Sequence, residues 1–236
     1  MNDSIKKIKK KLFIDYKKKE SEIKKRLNEF SIFYNESFIW TLKDNNLVLM
    51  HTEKSTNERL FEEICFCILT ANGSALSGIK AIDFSKKSLI NGTKEEIQEK
   101  LKKSGVRFHN RAEYIYYNRE KLKKDFNFDI KKIIEDKKKN KQKLRDFFVD
   151  YIKGFGYKEA SHFLRNIGFF DYAILDKHIL RKMHEFNILN EIPKTITKKR
   201  YLGLEKKFFD FSKYLEIKPE ELDLLLWSLN TGKILK

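Results

Sequence analysis

The chain has 236 residues, enough for one large domain or two small ones. It carries 51 Lys and Arg against 34 Asp and Glu, a net charge of +17, yet 41% of residues are apolar and 20 are Phe, which excludes a disordered chain. Only 9 Gly and 2 Pro argue against an all-β fold, and two cysteines exclude a disulfide framework.

Residues 4–34 predict one long helix, with Ile5, Ile8, Leu12, Ile23, Leu27 and Phe30 at helical spacing between Lys runs. Residues 37–51 hold β-type runs around Asp44-Asn45-Asn46, a short hairpin or an extended arm. Thr56 or Asn57 caps the next helix, which runs from Leu60 to Leu69 and is apolar nearly all round, as a central helix is. Cys65 and Cys67 lie in it and read as buried free thiols, too few for a four-thiolate metal or iron–sulfur site. Thr70 to Ser74 is a polar break. The small residues that follow, to Lys80, permit close helix packing or close approach of a ligand. Thr93 caps a helix over 94–103 that closes at Gly105, and Arg107 to Arg111 reads as a loop before a helix over 111–124. Residues 131–140 end in a charged turn. Further helices are predicted from Leu144 to Lys153, from Tyr157 to Gly168, after Asp176, and over 200–215 and 220–230. Residues 169–175 are apolar and extended. No segment is apolar for long enough to span a membrane, and the Lys-rich start does not read as a signal peptide.

The charge surplus points to a polyanion, with nucleic acid first, although part of it reflects a composition rich in Lys, Asn and Ile. Residues 1–30 hold 11 basic and 5 acidic residues, and 121–145 hold 11 and 4.

The chemistry sits in Lys153-Gly154-Phe155-Gly156-Tyr157-Lys158-Glu159-Ala160. Two helical runs meet at Gly-Phe-Gly, and glycine at 154 and 156 permits φ > 0 and a sharp turn. Such a hairpin can bring backbone N–H groups and a helix N-terminus to a phosphate. By itself the pattern also fits a tight αα-turn. Lys158 lies in the first turn of the second helix, where the dipole and partial burial disfavour an ammonium. An amine so placed is a usable nucleophile. Asp176 precedes a helix and reads as an N-cap, but geometry allows it more. The helix over 157–167 travels about 16 Å at ~1.5 Å per residue. The extended return over 169–175 spans about 23 Å at ~3.3 Å per residue. Asp176 can therefore stand level with Lys158, to stabilise positive charge on a sugar or to accept a proton from the amine.

Gly154 to Asn166, followed by Ala173-Ile174-Leu175-Asp176-Lys177-His178-Ile179-Leu180, resembles the helix-hairpin-helix DNA glycosylases. Among them the chain is most similar to the archaeal-type 8-oxoguanine DNA glycosylase/AP lyases. The resemblance extends to Cys65–Asn72, Arg107-Phe108, Arg111–Tyr114, Ile192–Thr195, Trp227 and the ending Thr231-Gly232-Lys233-Ile234-Leu235-Lys236. It covers roughly residues 56–236 and leaves the first ~50 without a role.

The resemblance implies an all-α fold of two helical subdomains, with short strands allowed near the N-terminus. Residues 56–170 would form a helical barrel with the hairpin. Residues 1–55 would pack with 171–236, and DNA would lie across the cleft. It implies that a flipped-out base meets Lys158, which attacks C1′, and Asp176, with β-elimination cleaving the strand 3′ to the lesion. Gly154, Phe155 and Gly156 would bind the DNA backbone, and Lys236 would recognise the base. Phe108 could fill the gap left by the base, touch the opposite base, or fold into the core. Trp227 could touch the orphan base or pack the core. His162 and His178 read as hydrogen-bonding residues behind the site or on the surface, and Asp223 as a cap of the last helix rather than a base contact. No metal and no iron–sulfur cluster would serve the chemistry; a structural monovalent cation at the hairpin is compatible with the pattern. The expected partner is double-stranded DNA containing 8-oxoguanine, met by a monomer in a prokaryotic cytoplasm, with no membrane involved. A glycosylase for another oxidised base, or a non-catalytic nucleic-acid clamp, are the alternatives.

Overall fold

The computed structural model describes residues 3–43 and 46–236. Asp44 and Asn45, at the centre of the expected hairpin, lie outside the described residues. The first helix, α1 (Asp3–Ile32), buries Leu12, Tyr16, Ile23, Leu27 and Phe30 along one stripe and leaves its Lys runs on the other side. Strands β1 (Glu36–Lys43) and β2 (Asn46–Lys54) pair antiparallel with Glu36 opposite Lys54, and the register shifts at Ile39/Trp40.

Helix α2 (Asn57–Thr70) is buried from Leu60 to Thr70, and Thr56 accepts the Arg59 N–H at 3.3 Å as its cap. Burial of each large side chain here contributes about 1.5–3 kcal/mol relative to exposure. Cys65 and Cys67 are free thiols in that core. The next helix, α3 (Ala75–Asn91), was not foreseen beyond its first residues. Ser74 caps it, and Gly78 lets it lie against α2, since a Cβ there would come within 2.4 Å of the Thr70 side chain. Helices α4 (Lys94–Lys103), α5 (Ala112–Phe126), α6 (Ile130–Lys137) and α7 (Lys141–Tyr151) complete this body. Thr93 caps α4 as predicted, and Glu96 completes a capping box with it. After α8 (Tyr157–Asn166) come α9 (Lys177–Glu185), α10 (Lys198–Leu215) and α11 (Pro219–Thr231). The fold is all-α apart from the strand pair.

Two apolar clusters divide the molecule. One gathers side chains between Leu60 and Tyr172, with Phe33 and Leu235. The other gathers α1 with residues from Ala173 to Leu226 and Ile234. Helix α8 lies where they meet. Its Phe163 and Leu164 enter the first cluster, and its Arg165 guanidinium lies 4.8 Å above the Phe30 ring of α1. A buried Arg145–Glu205 pair joins α7 to α10, with both carboxylate oxygens engaged at 2.6 and 2.9 Å. The two clusters are thereby tied at the place where the chain crosses between them.

Candidate active site

Helix α7 ends at Tyr151, and the chain turns through Ile152 to Gly156 into α8. Gly154 has φ +95°, and a Cβ there would meet the Tyr114 ring at 2.9 Å, so both backbone and space demand glycine. Gly156 differs from expectation. Its φ is −115°, an extended cap position, and its N–H donates to the Glu159 carboxylate at 3.2 Å. The reason is local: one left-handed residue suffices to reverse the chain, and the second only opens α8. Phe155 also corrects the simple picture of a hairpin open to phosphate. Its ring is buried beside Phe163, and its N–H donates to Ile152 O at 3.1 Å. Phe155 and Gly156 therefore present amides that already have partners. The amides of Tyr157 and Lys158, in the first turn of α8, have no carbonyl of the helix to bond.

Lys158, Glu159, His162 and Arg165 lie along one face of α8 and line a cleft of about 820 Å³. The Lys158 side chain is four-fifths buried, and its amine stands 3.7 Å from Glu159. The opposite wall comes from the stretch that returns after α8. Gly168 starts it at φ +94°, where a Cβ would strike Phe30 O at 2.8 Å. Glu205 accepts the Ala173 N–H at 3.0 Å, and the Tyr201 hydroxyl donates to Ala173 O at 2.5 Å and accepts the Leu175 N–H at 3.3 Å. Held in this way, the stretch delivers Asp176 to the cleft that Lys158 lines. Asp176 is also the cap of α9: its Oδ1 accepts the N–H groups of His178 and Ile179, both at 2.8 Å. Both bonds fall on one oxygen, which leaves Oδ2 for chemistry.

The third wall is α11 and the end of the chain. Trp227 is half-buried and lines the cleft, as do Leu235 and Lys236. The Lys236 ammonium is buried against Glu63 of α2 at 2.5 Å. Phe108 does not line the cleft. It is half-buried beyond the end of α2, where Arg111 stacks on it at 4.1 Å and Arg107 at 5.1 Å. Arg111 is itself held by the carbonyls of Ile68 at 2.7 Å and Ala71 at 2.6 Å. The structure thus brings Lys158, Asp176, Trp227 and Lys236 together, and sets Phe108 apart.

Two further expectations need correction. Asp223 does not cap the last helix, because α11 starts earlier, at Pro219. It points into the protein, 3.5 Å from Arg165, and lines the cleft. Burial pushes its carboxyl up to about 7, Arg165 opposes this, and Asp176 adds to it. His162 is not on the surface: it is buried, and among the described residues neither ring nitrogen has a hydrogen-bond partner. Burial, followed by the charges of Lys158, Arg165 and Lys236, holds its pKa well below the usual histidine value, so the ring is neutral. His178 is half-buried at the start of α9 and lines the cleft. Sequence reasoning missed Arg165 and Glu63. The spacing Lys158, His162, Arg165 was the available signal, since it places all three on one helix face.

Among the described residues no group of three or more His, Cys, Asp or Glu side chains could hold a metal ion. A monovalent cation at the hairpin would depend on backbone carbonyls, of which Ile152 O already accepts the Phe155 N–H.

The chain that builds this cleft is similar to known proteins over nearly its whole length. Residues 44–217 match the family model described as 8-oxoguanine DNA glycosylase. The 8-oxoguanine DNA glycosylase/AP lyase of Methanocaldococcus jannaschii is 44% identical over 223 residues, 92% of this chain and 95% of that protein. That of Fusobacterium nucleatum is 40% identical over 225 residues, 94% of each. A crystal structure of the Methanocaldococcus jannaschii glycosylase/lyase with a 15mer DNA containing 8-oxoguanine superposes with a TM-score of 0.82 at 40% identity, over 97% of this chain and 99% of that one. The 8-oxoguanine DNA glycosylase of Thermotoga maritima superposes with a TM-score of 0.81 at 36% identity, over 98% and 100%. The chain belongs to the 8-oxoguanine DNA glycosylase family.

Proposed function

We propose that this protein removes 8-oxoguanine from double-stranded DNA and then cleaves the strand at the site it has emptied. The observation that carries this is the placing of Lys158 and Asp176 in the walls of one cleft that ends at Lys236. A glycosidic bond within the stack is out of reach, so the nucleotide enters the cleft flipped out. The Lys158 lone pair forms a bond to C1′ as the C1′–N9 bond breaks, and the electron pair leaves with the base, which takes up a proton. Opening of the sugar gives an imine between Lys158 and C1′. Loss of a proton from C2′ then expels the 3′ phosphate, and water releases the enzyme. Every step is redox-neutral and the electron pair comes from the amine. The Asp176 anion, fixed by two amides, opposes the positive charge that grows on the sugar without having to reorganise. Lys236 and Trp227 wall the base, and the basic surface holds the phosphates.

Borohydride trapping on a duplex with one 8-oxoguanine tests this. The wild type forms a covalent adduct and releases the base, and Lys158→Ala forms none. An adduct that persists in Lys158→Ala, or activity only on oxidised pyrimidines, overturns the proposal.

A further inference from the structure

We infer that Glu63 is a positioning residue for recognition of the oxidised base: it holds the last residue of the chain in place as a wall of the base pocket. This rests on the function proposed above.

Beyond α11, residues 234–236 are each held in place. Ile234 is buried in one apolar cluster and Leu235 in the other. Lys236 then follows, its side chain buried, with its ammonium on the Glu63 carboxylate at 2.5 Å. Glu63 is 3% exposed, and a carboxylate so buried is costly unless its oxygens are bonded. Both are. Oε2 takes the Lys236 ammonium, and Oε1 takes the Asn166 amide of α8 at 2.6 Å. Phe66, one turn along the same face of α2, lies beneath the ammonium at 4.4 Å. The neighbouring Glu62 is engaged by Arg59.

Lys236 lines the cleft on one side and a smaller cavity of about 40 Å³ on the other. It is therefore a partition, and its position sets the depth of the base pocket. An ammonium without Glu63 would be drawn to water and would carry the chain end with it. 8-Oxoguanine differs from guanine by a C8 carbonyl and an N7–H. To tell a donor from a lone pair, a pocket must hold its wall within about 0.5 Å. Glu63, itself fixed by Asn166, supplies that constraint from α2, although it lines the cavity behind the wall and not the cleft.

The test compares two substrates, a duplex with 8-oxoguanine and a duplex with a preformed abasic site, which has no base to recognise. Glu63→Gln keeps the shape and the Asn166 contact but loses the charge. Its excision of 8-oxoguanine should fall roughly 10- to 100-fold, the cost of a misplacement of about 1 Å. Its cleavage of the abasic duplex should stay within about twofold. The double variant Glu63→Gln/Lys236→Met should excise no more slowly than Lys236→Met, because Glu63 acts through Lys236. Equal loss of both activities would assign Glu63 to general stability and overturn the inference. So would unchanged excision, or losses that multiply in the double variant. A wild type inactive on 8-oxoguanine removes the functional proposal, and this inference with it.

Discussion

Asp223→Asn should abolish the pH dependence that this one carboxyl imposes on folding. In the folded protein burial pushes Asp223 up to about 7, from an ordinary 3.8. Between those values the folded chain carries a proton that the unfolded chain has released. Stability contributed by the neutral acid is therefore whole below about pH 4 and is lost as pH rises through 7, with a slope near −1.4 kcal/mol per pH unit. The interval is 7 − 3.8 = 3.2 units, or about 4 kcal/mol in total. Below about pH 4 the acid and the amide are both neutral beside Arg165, and the two proteins should be about equally stable. By pH 8 the variant should lead by up to about 4 kcal/mol. Urea unfolding followed by circular dichroism across this range gives the difference directly, since other carboxylates titrate alike in both proteins. A constant difference between pH 5 and pH 8 would refute the reasoning. It would mean that Arg165, at 3.5 Å, keeps Asp223 ionised in spite of its burial.

Two further predictions concern how the site is built. Gly154→Ala should cost about 1–2 kcal/mol for its left-handed backbone and a further 1–3 kcal/mol for contact with Tyr114. Tyr114→Ala in the same chain should recover only the second part, and a thermal melt identical to the wild type would rule out the strain. Glu205→Ala should destabilise the fold by about 3–5 kcal/mol, because it leaves the Arg145 guanidinium buried without its partner. It also strips Ala173 of an acceptor just before Asp176, so 8-oxoguanine excision should fall even at temperatures where the variant is folded. Excision equal to the wild type would show that Glu205 does not position Asp176 for the proposed reaction.

Much of the site was legible because its signals are local. Gly154 needs a left-handed turn, Asp176 caps the helix it precedes, and Lys158 follows the hairpin within a few residues. Periodicity marked α2 as a central helix and α8 as the second arm of the hairpin. The same local reasoning could not separate Gly154 from Gly156, because both lie in one turn and only the path of the chain past Tyr114 distinguishes them. Helix α3 was largely missed, since its small and polar residues form a helix by packing on Phe66 and Thr70 rather than by a strong apolar stripe of their own.

The sequence by itself determined the helical class and the hairpin and singled out Lys158 and Asp176 as candidates, because each of these signals depends on residues that are neighbours along the chain. Only the tertiary structure decided which charges are buried and against what. Asp223 meets Arg165 because α11 lies against α8, and Glu63 meets Lys236 across 173 positions of sequence. Burial is a sum over segments that are distant in the chain, and the strength and protonation of a charge follow from that sum. The surplus of +17, so plain in composition, says which kind of partner the surface attracts; the protonation of the cleft is set by a few of those charges that the fold takes out of water.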